Sequence, residues 1–216
     1  MSDNEIIFRF LGMGVLEVIR LVPVCIGISL LVGIMLGIAQ SIKIPVINQV
    51  ISIYLVVMRG IPPLVLLLVV FFISGFSEAR MAAIFALSIY HTAYISEIIR
   101  GGIVALPKGQ FETADSLALR FHQKMLYVII PQVWRSTIPS LTGQYIILVK
   151  DTALISAIGV MEILYNARQV MQVVYKPILI YFLVAVLFFV ACFSLERLSA
   201  LLEMRLRRSL LGGADQ

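Results

Sequence analysis

Residues 21–42 read LVPVCIGISLLVGIMLGIAQSI, a run of 22 residues without a charged side chain. A helix needs about 20 mainly apolar residues to cross the hydrocarbon core of a bilayer, so this run is long enough. The whole chain is of the same kind: 61% of its 216 residues are hydrophobic and 13% are charged, whereas soluble domains have about 25% charged residues. The sequence therefore predicts an integral membrane protein and excludes a soluble domain, a disordered chain and a disulfide scaffold.

Four further apolar stretches follow the first, at residues 51–77 (interrupted by Arg59), 81–96, 136–149 and 177–195. The stretch at 81–96 is short, but it extends through Glu97, whose charge can reach the membrane interface. The stretch at 136–149 is also short and is followed by Lys150-Asp151-Thr152 and another apolar patch. This pattern indicates a helix broken inside the protein, the only place where a membrane tolerates irregular backbone. The predicted fold class is an all-α membrane protein with about five transmembrane helices.

The distribution of basic residues predicts the orientation. Five spans place the termini on opposite sides, and with the N-terminus outside, ten Lys and Arg residues fall inside and six outside. This bias follows the positive-inside rule, so we expect an N-out, C-in topology, and the net charge of +5 needs no nucleic-acid partner. Residues 1–20 are expected to be an N-terminal interfacial segment, either an amphipathic helix in the membrane plane or a frayed start of the first span. Residues 21–202 form the transmembrane domain and residues 203–216 a basic cytoplasmic tail.

The longest polar section, about residues 101–134, is expected on the inner side. It begins with GGIVALPKGQ, which has the composition of a turn. FETADSLALRF then predicts a short helix with Glu112 and Asp115 in its first turn, where negative charge suits the helix dipole. One face of this helix is expected to carry Phe111, Ala114, Leu117 and Ala118. The section is either a plain connector or the docking site of a soluble partner.

FETADSLALRFHQKMLYVIIP, residues 111–131, resembles the EAA loop of ABC importer permeases, with Glu112, Ala114 and Pro131 in matching positions. Thr113 replaces the first alanine of that pattern. Ala118 stands where glycine is expected, and a left-handed backbone there would cost alanine about 1 kcal/mol.

Further segments of the chain are similar to permeases for polar amino acids, the histidine, glutamine and arginine type. These segments are RGIP at 59–62, AYISEIIRGG at 93–102, PKGQ at 107–110 and KDTALISAIGVMEIL at 150–164. The resemblance implies the ABC importer type I permease fold in a bacterial cytoplasmic (inner) membrane. It also implies a second permease subunit, identical or not, a dimer of ATP-binding subunits, and an external, periplasmic amino-acid-binding protein.

The resemblance further implies that the EAA-like loop is a coupling helix lying in a groove of the ATPase, formed by Glu112, Thr113, Ala114, Leu117 and Ala118. For Glu112 the alternative is a simple helix-dipole charge. The sequence contains no GxxxxGK[ST] motif, so we expect ATP and Mg²⁺ on the partner subunit. This chain is then expected to bind no cofactor and to be no enzyme.

Charges within the spans predict candidate substrate contacts. A charge at the bilayer centre is costly, so Arg59 is expected either to face the bundle or to snorkel to the interface. Facing the bundle, it would grip a substrate carboxylate by two hydrogen bonds. Asp151 and Thr152 at the predicted helix break are expected to bind a substrate ammonium group, since half-helix ends often hold charged groups. Alternatively, Lys150 and Asp151 cap the outer end of the helix.

Two other positions are singled out. Glu162 either reads a substrate side chain or faces external water. Tyr94 shares one side of its helix with Glu97 and Arg100, which we expect to form an interfacial ion pair.

The remaining motifs predict structure rather than chemistry. Neither His91 nor His122 has other potential metal ligands at a suitable spacing, and both are expected to be polar core or loop residues. Cys25 and Cys192 are expected to be buried apolar residues. No metal site and no catalytic set is predicted. The expected function is translocation of a polar amino acid by alternating access, driven by a partner ATPase. The alternatives are a secondary transporter or channel without an ATPase, and a membrane enzyme or scaffold.

Overall fold

A computed structural model of the chain describes residues 2–42 and 44–211, apart from the side chains of 202, 203 and 205–211. Within these residues the chain is all-helical. The elements are α1 (Asp3–Ala39), α2 (Pro45–Gly60), α3 (Pro63–Ile73), α4 (Ala79–Val104), α5 (Lys108–Ser116), α6 (Phe121–Gln123), a π-helix (Lys124–Ile129), α7 (Ile130–Asp151), a 3₁₀ helix (Thr152–Ile158), α8 (Ile163–Val173) and α9 (Pro177–Leu211).

The described part of the chain has four helical segments long and apolar enough to cross a membrane, and α2 with α3 makes a fifth if the bent pair counts as one span. The prediction of an all-α fold with about five spans is confirmed. The predicted basic tail begins inside α9, whose backbone is helical to Leu211, while 212–216 and Lys43 lie outside the described residues.

Helix α1 joins the predicted N-terminal segment to the first predicted span. Its start is fixed by a capping box, in which the Ser2 hydroxyl accepts from the Glu5 backbone N–H and the Glu5 carboxylate accepts from the Ser2 N–H. From Asp3 the helix runs without interruption past residue 20 to Ala39. The predicted boundary at residue 20 therefore lies inside one continuous helix.

Glycines let α1 approach its neighbours closely. A Cβ at Gly33 would lie 2.6 Å from Ile95 Cγ2, and a Cβ at Gly37 would lie 2.9 Å from Ile99 Cβ, both on α4. Gly14 meets the backbone at the start of α8, because a Cβ there would lie 2.6 Å from Ile163 Cα. These glycines thus let the backbone of α1 pack closely against α4 and against α8.

We expect Gly14→Ala to destabilise the folded protein by about 1–3 kcal/mol, the usual cost of overpacking, because the obstructing atoms are backbone and cannot rotate away. The control is Gly12→Ala on the same helix, where a Cβ meets nothing within 4 Å and helix propensity favours alanine. Thermal unfolding in detergent checks this. A melting temperature for Gly14→Ala equal to that of Gly12→Ala would contradict the packing described.

The second predicted span is broken. Helices α2 and α3 meet at an angle of 108° around Ile61 and Pro62. Pro62 and Pro63 have no N–H to continue the helix, and a residue before proline is pushed into an extended conformation, as Ile61 is at φ −96°, ψ 132°. The predicted stretch over 51–77 is therefore two helices joined at a bend, and Arg59 lies in the last turn of α2, next to that bend.

The polar loop also differs from the sequence prediction at its start. Helix α4 continues to Val104, so the Gly101-Gly102 pair is helical rather than a turn, and Gly102 lets α7 approach, since a Cβ there would lie 2.5 Å from Thr137 Cγ2. Pro107 then starts α5 at Lys108, because its fixed φ suits a helix start. Consequently Glu112 and Asp115 do not lie in the first turn, and the expected interaction with the helix dipole is absent.

The predicted apolar face of α5 is split. Phe111 is partly buried and Ala114 is buried against the following helix, whereas Leu117 is 67% exposed. The reason is that α5 ends at Ser116, so Leu117 and Ala118 lie beyond the helix. Ala118 has φ +52°, the left-handed conformation that the glycine of the EAA pattern predicts.

We therefore expect Ala118→Gly to stabilise the loop by about 1 kcal/mol, because glycine adopts a positive φ without the steric penalty that alanine carries. The matched control is Ala105→Gly, at the C-cap of α4, where φ is −73° and no such relief exists. Thermal unfolding of both variants checks this. A fall in melting temperature for Ala118→Gly equal to that of Ala105→Gly would contradict it.

Candidate functional site

A polar cavity of about 790 Å³ lies at the end of the bundle where α1 and α4 finish. Its lining comes from α1, α2 and α4 and consists of Gln40, Asn48, Ser52, Leu55, Val56, Arg59, Gly60, Tyr94, Glu97 and Arg100. We call it the α2–α4 cavity. The structure thus brings the candidates Arg59 and Tyr94 into one space.

The charged groups of the α2–α4 cavity are two arginines and one glutamate. Arg100 Nη2 lies 2.5 Å and its Nε 3.2 Å from the Glu97 carboxylate, which confirms the predicted ion pair. Arg59 is exposed, and its Cζ lies 5.8 Å from the centre of the Tyr94 ring, within range of a cation–π interaction. The cavity lining therefore carries a net charge of +1, which suits an anionic group such as a carboxylate.

Asp151 lies in a second cluster, between α4 and α7, that the sequence did not predict. His91 of α4 is fully buried, with its Nε2 3.3 Å from Asp151 Oδ2 and its Nδ1 2.7 Å from Gln144 Nε2. The side chain of Asp151 is 18% exposed. His91 is a buried polar core residue, as predicted, and it lies beside Asp151, the acidic candidate within a span.

Two tyrosines connect this cluster to the cavity. The Tyr90 ring contacts the His91 ring edge-on, with 5.4 Å between the ring centres. The Tyr90 hydroxyl lies 3.1 Å from the Tyr94 hydroxyl, and Tyr94 in turn carries Arg59 over its ring. A series of polar and aromatic-ring contacts, which we call the polar line, therefore connects Asp151 to Arg59.

Thr152 does not join this line. Helix α7 passes into the 3₁₀ helix at Thr152 without a gap, since the Thr152 N–H donates to the Leu148 carbonyl. The Thr152 side chain is fully buried and its hydroxyl donates to the Val149 carbonyl at 2.6 Å. The expected break that exposes unpaired backbone is not present there, and Thr152 has a structural role.

Glu162 has a structural role as well. It is the N-cap of α8, fully buried, and its two carboxylate oxygens accept from the backbone N–H groups of Leu164 and Tyr165 at 2.8 and 2.7 Å. Of the two alternatives for Glu162, exposure to external water is contradicted by its burial, and the candidate substrate contact does not line the α2–α4 cavity. The close approach of Gly14 covers it, because a Cβ at Gly14 would lie 2.9 Å from the Glu162 carbonyl carbon.

Burial raises the pKa of Glu162 from 4.5 to about 7, and the two backbone hydrogen bonds lower it only in part. A raised pKa means that the folded state binds the proton more tightly, so we expect this contribution to stability to be complete below pH 4.5 and to be lost as the pH rises through 7. Glu162→Gln, which keeps a side-chain acceptor, should flatten this dependence. Melting temperatures between pH 4.5 and 8 check it, and equal slopes for the two proteins would contradict it.

The EAA-like loop is fastened to α7. Lys124 pairs with Asp115, and Gln132 Nε2 donates to Gln110 Oε1 at 2.9 Å, so that α5 is tied to the π-helix and to the first turn of α7. Glu112, Thr113 and Leu117 project from the opposite side and are exposed. The loop thus offers a free surface on one side and a firm attachment on the other.

Comparisons with known proteins place the chain among transporters. Residues 29–208 match the family described as binding-protein-dependent transport system inner membrane component. A probable glutamine ABC transporter permease protein of Bacillus subtilis is 32% identical over 91% of this chain and 93% of its own length. An L-cystine transport system permease protein of Bacillus subtilis is 33% identical over 83% of this chain and 79% of its own length.

A solved structure has the same fold. A chain of the crystal structure of an amino acid ABC transporter with histidines has a TM-score of 0.83 and 32% identity, and the match covers 91% of this chain and 94% of that chain. Family, relatives and fold agree with the apolar helices in indicating a multi-pass protein of the inner membrane. The chain belongs to the family of binding-protein-dependent transport system inner membrane components.

Proposed function

We propose that this chain is the permease subunit of an ABC importer that moves a polar amino acid across the inner membrane by alternating access. The observation that carries the proposal is the line of polar contacts from Asp151 to Arg59, which ends in the α2–α4 cavity at the end of the bundle that bears the EAA-like loop. The family match and the named glutamine and cystine permeases support it.

An amino acid presents a carboxylate and an ammonium group, and the two ends of the polar line have the opposite charges. Both substrate groups are on one carbon atom, whereas Tyr94, Tyr90 and His91 lie between Arg59 and Asp151, so the two ends bind the substrate at successive positions along its path. Arg59 is an exposed guanidinium, which binds carboxylates with two parallel hydrogen bonds. Asp151 supplies an acceptor for the ammonium group. Tyr94 lies between them and offers a hydroxyl and an aromatic face.

The proposed N-out, C-in orientation places α5 in the cytoplasm, against a separate ATP-binding subunit. The exposed residues Glu112, Thr113 and Leu117 would contact the ATPase, while Ala114 and Ala118 would shape the loop. Helix α7 is about 33 Å long at 1.5 Å per residue, and it carries the loop attachment at one end and Asp151 at the other. A push on α5 is therefore passed along α7 as rigid-body motion to the substrate site.

The remaining partners follow from this mechanism. A second permease subunit completes the pathway, and a periplasmic binding protein delivers the substrate outside. ATP and Mg²⁺ act on the ATPase dimer, and this chain performs no chemistry of its own. Transport requires that the two states of the permease open to opposite sides of the membrane and differ in affinity for the substrate, with the ATPase driving the change between them.

Reconstitution into liposomes tests the proposal. We expect uptake of labelled amino acids by the full complex and none when the binding protein, the ATPase or ATP is left out. Uptake that persists without ATP and follows an ion gradient would contradict it and would favour a secondary transporter.

A further inference from the structure

His91 bridges two polar side chains of α7. Its Nδ1 lies 2.7 Å from Gln144 Nε2 and its Nε2 lies 3.3 Å from Asp151 Oδ2. Gln144 and Asp151 are about two helical turns apart and therefore share one face of α7. The imidazole, with no exposed surface of its own, fills the space between them.

The two contacts fix the position of the imidazole at both of its nitrogens. Gln144 Nε2 lies at hydrogen-bond distance from Nδ1, and Asp151 Oδ2 lies within ion-pair distance of Nε2. Among the described residues Nε2 makes no hydrogen bond, so its contact with Asp151 is one of proximity. Gln144 thus sets where Nε2 lies relative to the Asp151 carboxylate.

This arrangement differs from two other carboxylates in the spans. Glu17 pairs with Arg80 at 2.6 Å, and Glu97 pairs with Arg100 at 2.5 Å, so an adjacent positive charge offsets each of them. In the described part of the chain, the ion-pair neighbour of Asp151 is His91 and not an arginine or a lysine. Its carboxylate is therefore positioned by an imidazole that is itself held by Gln144.

We propose that His91, oriented by Gln144, is a positioning residue that presents the charged Asp151 carboxylate to the α-ammonium group of the substrate. This inference rests on the proposed function, in which Asp151 binds that group. It adds two residues, both more than nine-tenths buried, to the determinants of amine selectivity.

Substrate binding to the detergent-solubilised permease–ATPase complex, without binding protein, tests this directly. The probes are tritiated L-glutamine, L-arginine and L-cystine, each competed with its unlabelled 2-hydroxy analogue, in which a hydroxyl replaces the amine. The wild-type complex should prefer the amine. In His91→Leu the ratio of affinities for the amine and its 2-hydroxy analogue should fall about tenfold. His91→Gln, which retains an N–H donor, should keep most of the wild-type ratio. A purely structural role would lower the yield or the stability and leave the preference unchanged.

The outcomes distinguish the positioning role of His91 from the proposed function, in which Asp151 binds the ammonium group. If Asp151→Asn loses the amine preference while His91→Leu and Gln144→Leu keep it, the positioning role is wrong and the proposed function stands. If Asp151→Asn keeps the preference, both are wrong. If His91→Leu does not assemble, Gln144→Leu decides, because it leaves His91 and Asp151 in place and should still lose about threefold of the preference.

Discussion

Leu117→Asp should abolish association with the ATPase subunit and reduce ATP-driven uptake by at least about a hundredfold. Leu117 is an exposed leucine at the end of α5, and an apolar anchor seated in a partner's groove typically carries more than 2 kcal/mol of the binding energy. A buried, unpaired carboxylate in its place adds a desolvation penalty. Co-purification of the ATPase with the tagged permease measures the first effect, and uptake into proteoliposomes measures the second.

The matched control is Met161→Asp, which puts the same charge on a side chain of similar exposure, 63%, between the 3₁₀ helix and α8. This variant should co-purify with the ATPase like the wild type. Equal recovery of the ATPase with Leu117→Asp and Met161→Asp would contradict the claim that the loop binds the ATPase. Ala114 is unsuitable for this test, because it is buried within the loop and a large substitution would disrupt the loop itself.

Asp151→Asn should reduce substrate affinity and uptake by about 10- to 100-fold while the complex assembles normally. Hydrogen bonds to charged groups contribute about 1.5–3 kcal/mol, and each 1.4 kcal/mol corresponds to a factor of ten. Asparagine has the same shape as aspartate and keeps an oxygen beside His91 Nε2, so the contact between α4 and α7 is preserved. Binding and uptake of the labelled amino acid measure the loss.

Asp3→Asn is the control for this substitution. Asp3 pairs with Lys176 at 2.7 Å, but both side chains are about half exposed, and such surface pairs contribute little. We expect uptake by Asp3→Asn within about twofold of the wild type. An Asp151→Asn protein that transports as well as Asp3→Asn would exclude Asp151 from the substrate site.

The sequence predicted the spans because crossing a bilayer requires length without charge, and both properties are visible in the residues. It missed the bend between α2 and α3 because apolarity says nothing about backbone angles. The signal was nonetheless present: Pro62 and Pro63 follow directly on Ile61, and a residue before proline is driven out of the helical region. The early start of α5 has a similar cause, since Pro107 was treated as part of a turn rather than as a helix start.

The contacts of the candidate site depend on tertiary packing, which the sequence did not reveal. His91 and Gln144 are 53 positions apart, and no local pattern states that these faces of α4 and α7 meet. Glu162 was misplaced for the same reason, because its burial depends on the close approach that Gly14 permits on a distant helix. The Glu97–Arg100 pair was predicted correctly, since residues three apart on one helix are neighbours whatever the fold.

The central claim is that ATP binding to the ATPase subunit, passed on through the loop, changes access to the polar site. Thiol labelling of Ser52→Cys tests it most directly. Ser52 is exposed in the α2–α4 cavity, and the native Cys25 and Cys192 are buried, so they should add little background. In the nucleotide-free complex we expect a membrane-impermeant maleimide to label Ser52→Cys from the side that bears α5. A non-hydrolysable ATP analogue should suppress that labelling at least about tenfold, while labelling of Met161→Cys stays constant. Labelling of Ser52→Cys that is unchanged by the nucleotide would contradict the account.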